Sequence, residues 1–152
     1  MHLKTIVVPY DFSQYAEYAF TWAFELAETC HANIVLVHAV PLLAHLSYPF
    51  GVTLSDVPRL DAELEAEAKQ RLEEVADQRR TAGVRIAVRI LRGNPTSEIC
   101  QAATQEHADL IVMGSHGRTG LAHVLLGSVA ENVVRLAPCP VLVVRLPPQA
   151  TG

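Results

Sequence analysis

Gly114–Ser128, GSHGRTGLAHVLLGS, begins directly after the apolar run Leu110-Ile111-Val112-Met113 and ends where an amphipathic segment, Val129 to Leu136, takes over. The order is strand, loop, helix, the repeating unit of α/β proteins. A glycine at the carboxyl end of a strand lets a ligand approach the backbone. A Gly-Ser pair opening a helix presents free N–H groups and a hydroxyl to an anion. Phosphate is the natural guest.

The rest of the chain repeats this alternation. Thr5 to Val8, closed by Pro9, is a continuous β-branched run and so predicts a strand buried on both faces. Ser13 can cap a helix with the apolar side Ala16, Ala19, Phe20, Ala23, Leu26 and Ala27, ending near His31. Asn33 to Val40 is a second strand, stopped by Pro41. From Pro41 to Pro58 the chain reads as an ordered or semi-ordered loop that could fold over a site. Asp56 and Pro58 then start a long surface helix with the stripe Leu60, Leu64, Ala68, Leu72, Val75 and Ala76, and Gly83 is its expected stop. Val84 to Leu91 alternates apolar residues with Arg85, Ala87 and Arg89, which predicts a strand near a sheet edge. Asn94-Pro95 opens a third helix, Asp109 introduces the fourth strand, and Val141 to Arg145 is the fifth. Parallel neighbours need crossover helices, so five strands and four helices predict a three-layer α/β sandwich around a mostly parallel sheet. One domain, residues 1–146, is followed by a flexible tail, 147–152.

Composition excludes several classes. With 18% charged residues, a net charge of −4 and no dense Lys/Arg run, the chain lacks the basic face a nucleic-acid partner requires. No apolar run reaches a membrane span, and MHLKTIVVPYD meets an acidic residue too early for a signal peptide. Cys30, Cys100 and Cys139 have no metal-ligand spacing and read as small buried thiols in a reducing, cytoplasmic compartment. His38 and His45 are not spaced as a metal pair, and His38 is expected to satisfy its polar atoms locally.

Open parallel sheets bind ligands beyond the carboxyl ends of their strands, where strand order reverses. Two motifs mark such ends: Pro9-Tyr10-Asp11 after the first strand, and Gly114-x-x-Gly117 with Gly127-Ser128 after the fourth. Side by side, they would offer Asp11 to a base or ribose and the N–H groups of the glycine loop and of Ser128, Val129 and Ala130 to phosphates. Capping the first helix is the competing role for Asp11, and Ser128 can serve as cap and phosphate ligand together. His116 could touch phosphate, whereas exposure is the commoner fate of a loop histidine; Arg118 divides in the same way. Gly120 reads as a turn former. There is no G-x-x-x-x-G-K-[ST] and no G-x-G-x-x-G after the first strand, and the only lysines are Lys4 and Lys69, which removes a P-loop NTPase.

TIVVPYDFS, the phrase ADLIVMGSHGRTGLAHVLLGSVAENVVRLAPCPVLVV and the spacing G-x2-G-x9-G-[ST], met by Gly114, Gly117, Gly127 and Ser128, resemble the universal stress protein family in its ATP-binding subgroup. The likeness covers essentially the whole chain. It implies strand order 3-2-1-4-5, with adenine near Asp11 and the backbone around Val40. Ribose would lie near Pro9, Met113 and Gly114, and phosphates on Gly117, Gly127, Ser128 and Val129. It also implies a homodimer through Val141–Val144, whose apolar edge would otherwise be a liability. Ala130 departs from relatives that carry a hydroxyl there.

Three functions are compatible with these residues. The favoured one is an ATP-dependent signalling or stress-response module, with magnesium arriving on the nucleotide. The second is a slow ATP hydrolase or a phosphoryl or nucleotidyl transferase, although the loop offers no lysine and no base beyond His116. The third is a dimeric interaction protein with a vestigial pocket, which the intact glycine spacing opposes.

Overall fold

The computed structural model describes residues 2–43, 51–80, 83–118 and 126–148. The elements run β1 (Thr5–Pro9), α1 (Gln14–Cys30), β2 (Asn33–Val40), α2 (Val57–Asp77), β3 (Ile86–Arg92), α3 (Pro95–Gln105), β4 (Leu110–Gly114), α4 (Ser128–Leu136) and β5 (Val141–Val144), with a short 3-10 turn at Leu54–Asp56 before α2. The five strands form one sheet in the order β3-β2-β1-β4-β5, and every pairing is parallel.

The continuous apolar strands follow from burial on both faces. Ile6, Val8, Ile34, Leu36 and Val112 pack with Ala16, Ala19, Phe20 and Ala23 of α1 and Leu72 and Ala76 of α2. Their alternates Val7, Val35, Val37, Ile111 and Met113 pack with Ile99, Ala102 and Ala103 of α3 and Ala130 and Val133 of α4. Side chains of opposite parity thus reach opposite layers. The alanines of α1 keep that helix close to β4, and Ser13 caps it by accepting from the Ala16 N–H at 3.2 Å. His31, left-handed at φ 57°, ends it where expected. Asn94 caps α3 by accepting from the Ser97 N–H. Asp109 accepts from the Lys4 and Thr5 N–H groups and ties the start of β1 to that of β4. These bonds, Lys4 first, hold its carboxyl below the ordinary aspartate value.

Several expectations are corrected. α2 ends at Asp77, not Gly83, because Arg79 and Arg80 donate to carbonyls three residues back, Ala76 and Asp77, and tighten the last turn. The Arg79 guanidinium then pairs with Glu17 on α1. β3 starts at Ile86, two residues later than expected, and it is the edge its alternation predicted. Arg89 on its outer side pairs with Glu106, and Arg92 with Asp61 and Glu65 of α2. Cys30 is exposed and Cys100 and Cys139 are half-buried, so none is the fully buried thiol expected; all three are free. No helix among the described residues is long and apolar enough to cross a membrane. His45, Gly120, residues 121–125 and 149–152, and the middle of the 41–58 segment lie outside the described residues.

Candidate nucleotide site

From β1 the chain crosses one way to β2 and β3 and later the other way to β4 and β5, so the order reverses between β1 and β4. A cavity of about 580 Å³ opens there, beyond the carboxyl ends of both strands. It is lined by Pro9, Tyr10, Asp11, Met113, Gly114, His116, Gly117, Gly127, Ser128, Val129 and Ala130. Of the residues singled out from sequence only Val40 does not line it. Its neighbours Ala39 and Pro41 do, together with Val37 and His38 of β2 and Arg118. The Val40 carbonyl accepts instead from the Gly93 N–H at 3.0 Å.

The turn after β1 is held by side chains. Asp11 accepts through Oδ1 from the Ser13 N–H at 3.0 Å, while Ser13 itself caps α1. The competing role for Asp11 is therefore realised in modified form, since it braces the cap residue without being the cap. Phe12 adopts φ 65°, the left-handed region that costs a residue with a Cβ about 1–2 kcal/mol. Its ring meets the edges of Tyr10 and His38, centroids 5.4 and 4.9 Å away, and the Arg71 guanidinium of α2 lies 4.0 Å over its face. The Tyr10 hydroxyl donates to Glu17 at 2.6 Å. Burial, then that carboxylate, pushes the phenol well above its ordinary value, so it stays neutral.

His38 is buried, and its Nδ1 lies 2.7 Å from the Tyr10 carbonyl oxygen, 28 residues away in sequence rather than local to its own strand. A carbonyl can only accept, so Nδ1 carries the hydrogen. Burial is the main cause that lowers the imidazole's pKa below its ordinary value, with Arg118 and Arg71 adding to the effect against the Tyr10 hydrogen bond and Asp11. Neither Phe12 nor His38 was assigned to the site from sequence. Both act through contacts between distant segments, which no local pattern reveals.

The loop after β4 is shaped by missing side chains. A Cβ on Gly127 would lie 3.2 Å from the Ser115 carbonyl oxygen and 3.3 Å from the His116 Cα, and the Gly127 N–H donates to that carbonyl at 2.7 Å. The two ends of the GSHGRTGLAHVLLGS stretch are thereby stapled together. A Cβ on Gly117 would sit 3.0 Å from Asp11 Oδ2, so this glycine faces the opposite strand end directly. Gly114 has a second reason to lack a side chain: its Cβ would strike the Tyr15 backbone of α1 at 2.8 Å. Gly117 and Gly127 do not adopt positive φ, so close approach and not unusual backbone geometry selects glycine there.

α4 is capped by Gly127, which makes no side-chain cap bond, and Ser128 is the first helical residue and not the expected cap. The N–H groups of Ser128, Val129 and Ala130 precede the first intrahelical bond, Glu131 N–H to Gly127 carbonyl, and so have no partner within the helix. They form the anion-attracting end of the cavity. His116 lies beside Ser115, whose Oγ is 3.0 Å from its Nδ1, with its ring 5.3 Å from that of Tyr15. Arg118 crosses between the strand ends, donating from Nε to the Asp11 carbonyl at 2.9 Å.

The Universal stress protein family model matches residues 2–145. Universal stress protein MJ0531 of Methanocaldococcus jannaschii is 37% identical over 144 residues, covering 95% of this chain and 83% of that one. The solved structure of MJ0577 from the same organism superposes with a TM-score of 0.83 at 31% identity, covering 97% of this chain and 99% of that one. A more distant structure, of a universal stress protein in complex with cAMP, shares the fold with a TM-score of 0.66 at 24% identity, covering 95% and 98%. With a family match across nearly its whole length and the sheet order that the resemblance implied, this chain belongs to the universal stress protein family.

Proposed function

We propose that this protein binds ATP in the cavity between β1 and β4 and serves as a nucleotide-dependent stress-response or signalling module with little or no catalysis of its own. The observation that carries the proposal is the meeting of Asp11 with Gly117, Gly127 and the open N–H groups of α4 around one cavity of about 580 Å³. A carboxylate at one end suits the amino or hydroxyl groups of adenosine, and a helix start at the other suits phosphates. That a relative of this fold is known in complex with cAMP is consistent with an adenine nucleotide here.

In this assignment Asp11 and the backbone beside Val40 hold adenine, Pro9, Met113 and Gly114 flank ribose, and Gly117, Gly127, Ser128 and Val129 hold phosphates. Tyr10, His116 and Ala130 complete the walls. Ala130, buried and without a hydroxyl, adds its N–H alone. Magnesium would be held largely by the phosphates. Phosphoryl transfer calls for cations and a placed nucleophile. Neither lysine lines the cavity, and the guanidinium that does, Arg118, is anchored through Nε to the Asp11 carbonyl. Three free thiols suit action in the cytoplasm.

Calorimetry with ATP, ADP and AMP tests the assignment: ATP binding is expected, and its absence from the unsubstituted protein would sink it. A phosphate-release assay separates module from enzyme, since turnover of about 1 per second or more would make it an enzyme.

The homodimer belongs to the same proposal. Among the described residues β5 pairs only with β4, leaving an edge of half-buried Val141, Leu142 and Val143, and the nearby helix α4 exposes Val134 and Leu136. A second copy adding its own β5 would cover this surface. Val143→Asp should turn the dimer into monomer in a sizing experiment, and an unchanged elution volume would place the interface elsewhere.

A further inference from the structure

His38 sits against the nucleotide cavity but has no role in the assignment above. Both backbone groups of Tyr10 are anchored to β2: its N–H donates to the Val37 carbonyl at 2.8 Å, and its carbonyl accepts from His38 Nδ1 at 2.7 Å. The second bond fixes the peptide plane that leads into Asp11. Immediately beyond it lies the left-handed Phe12, whose ring packs on the His38 ring. A turn with one residue in a costly conformation persists only where its surroundings hold it, and His38 supplies two of those supports.

We propose that His38 is a positioning residue for the turn after β1, holding Asp11 in its nucleotide-binding geometry only while the imidazole is neutral. This rests on the nucleotide-binding function proposed above and adds to it a dependence on pH. The charged groups facing His38 are Asp11 from the turn, Arg71 from α2 and Arg118 from the loop after β4. Tyr10 stays neutral. An imidazolium there would be a buried charge facing two guanidinium groups and one carboxylate, with a new Nε2–H to satisfy. The Nδ1–H bond to the Tyr10 carbonyl favours the imidazolium and opposes this cost, but burial outweighs it. Turning the ring toward Asp11 or toward water relieves the burial and releases the Tyr10 carbonyl.

The sign follows from the direction of the shift. The folded-state pKa lies below the ordinary 6.5, so the neutral form predominates at 6.5 and above and is lost as pH falls through the folded value. Affinity for nucleotide falls over the same interval. Below that value apparent affinity falls by at most about tenfold per pH unit, the limit set by one titrating group.

The test compares wild type, His38→Asn and His38→Leu by ATP calorimetry from about pH 8 to about pH 5, a range that spans the titration of a histidine. Asn places an amide N–H near the position of Nδ1 and does not titrate, so it should bind ATP at pH 8 like wild type and lose less affinity on acidification. The terminal phosphate of ATP titrates near pH 6 in every arm and cancels in the comparison. His38→Leu should bind more weakly at every pH. Parallel profiles for wild type and the Asn variant, or wild-type affinity in the Leu variant at pH 8, would overturn the inference. In nucleotide-free protein, NMR should show the Asp11 and Phe12 amide resonances titrating with the His38 ring in wild type and fixed in the Asn variant. Their failure to follow His38 refutes the positioning role even if ATP never binds, whereas their movement without ATP binding overturns only the nucleotide assignment.

Discussion

The two strand ends that face each other across the cavity are built in opposite ways. The turn after β1 is assembled from side chains drawn from several elements: Asp11 and Ser13 from the turn, His38 from β2, Arg71 from α2 and Arg118 from the far loop. The loop after β4 is assembled from backbone and from the absence of side chains at Gly117 and Gly127. The first construction can be tuned, because each support is a separate contact with its own chemistry. The second is intolerant above all at Gly127, where an added Cβ intrudes on the Ser115 and His116 backbone, which cannot give way cheaply, whereas one at Gly117 would crowd the Asp11 carboxylate.

The largest expected effect tests that intolerance. Gly127→Val adds a branched side chain whose first carbon already lies 3.2 Å from the Ser115 carbonyl oxygen. It should open the staple between the loop ends and weaken ATP binding about a hundredfold or more in calorimetry, equivalent to about 2.8 kcal/mol. Binding within tenfold of wild type would show that the glycine is not required by the phosphate end. Gly114→Ala should behave differently, because its added methyl meets the Tyr15 backbone of α1 at 2.8 Å. The cost should appear in stability, about 1–3 kcal/mol in chemical denaturation, as overpacking costs elsewhere. If instead it lost affinity at unchanged stability, the distinction between a packing glycine and a ligand glycine would fail.

The same contrast explains what was legible in the sequence. The loop after β4 announces itself because backbone-built sites need glycine at fixed separations, and spacing is visible in a string of letters. Strand bounds were legible for a similar reason: Pro9 and Pro41 punctuate continuous apolar runs, and Asn33–Val40 comes out as read. The place of Asp11 beside the cavity was legible because it lies just past Pro9, the end of β1. Its supports were not, since His38 and Arg71 meet the turn only after the sheet has brought β1 and β2 together. The end of α2 was misread because Gly83 looked like the stop, whereas the Arg79 and Glu17 pairing and two backbone bonds reaching only three residues back end the helix at Asp77. Ser128 was misread as a cap because Gly127, one residue earlier, fills that place without a side chain.

The smallest effect bears on the tunable side of the comparison. Phe12 carries opposing contributions: its ring contacts with His38, Tyr10 and Arg71 hold the turn, while its φ of 65° works against it. Replacing it by Ala removes the ring contacts and keeps the Cβ penalty, whereas replacing it by Gly removes both. In a helix or strand interior Ala is the more stable of the two by about 0.5–1 kcal/mol. Here the order should invert, with Phe12→Gly about 1 kcal/mol more stable than Phe12→Ala in urea denaturation. Both variants should still bind nucleotide more weakly than wild type, because relieving the strain does not restore the packing that orders Asp11. A Gly variant no more stable than the Ala variant would mean that the turn relaxes out of the left-handed region once the ring is gone. The ring contacts would then be the cause of the conformation and not merely its compensation.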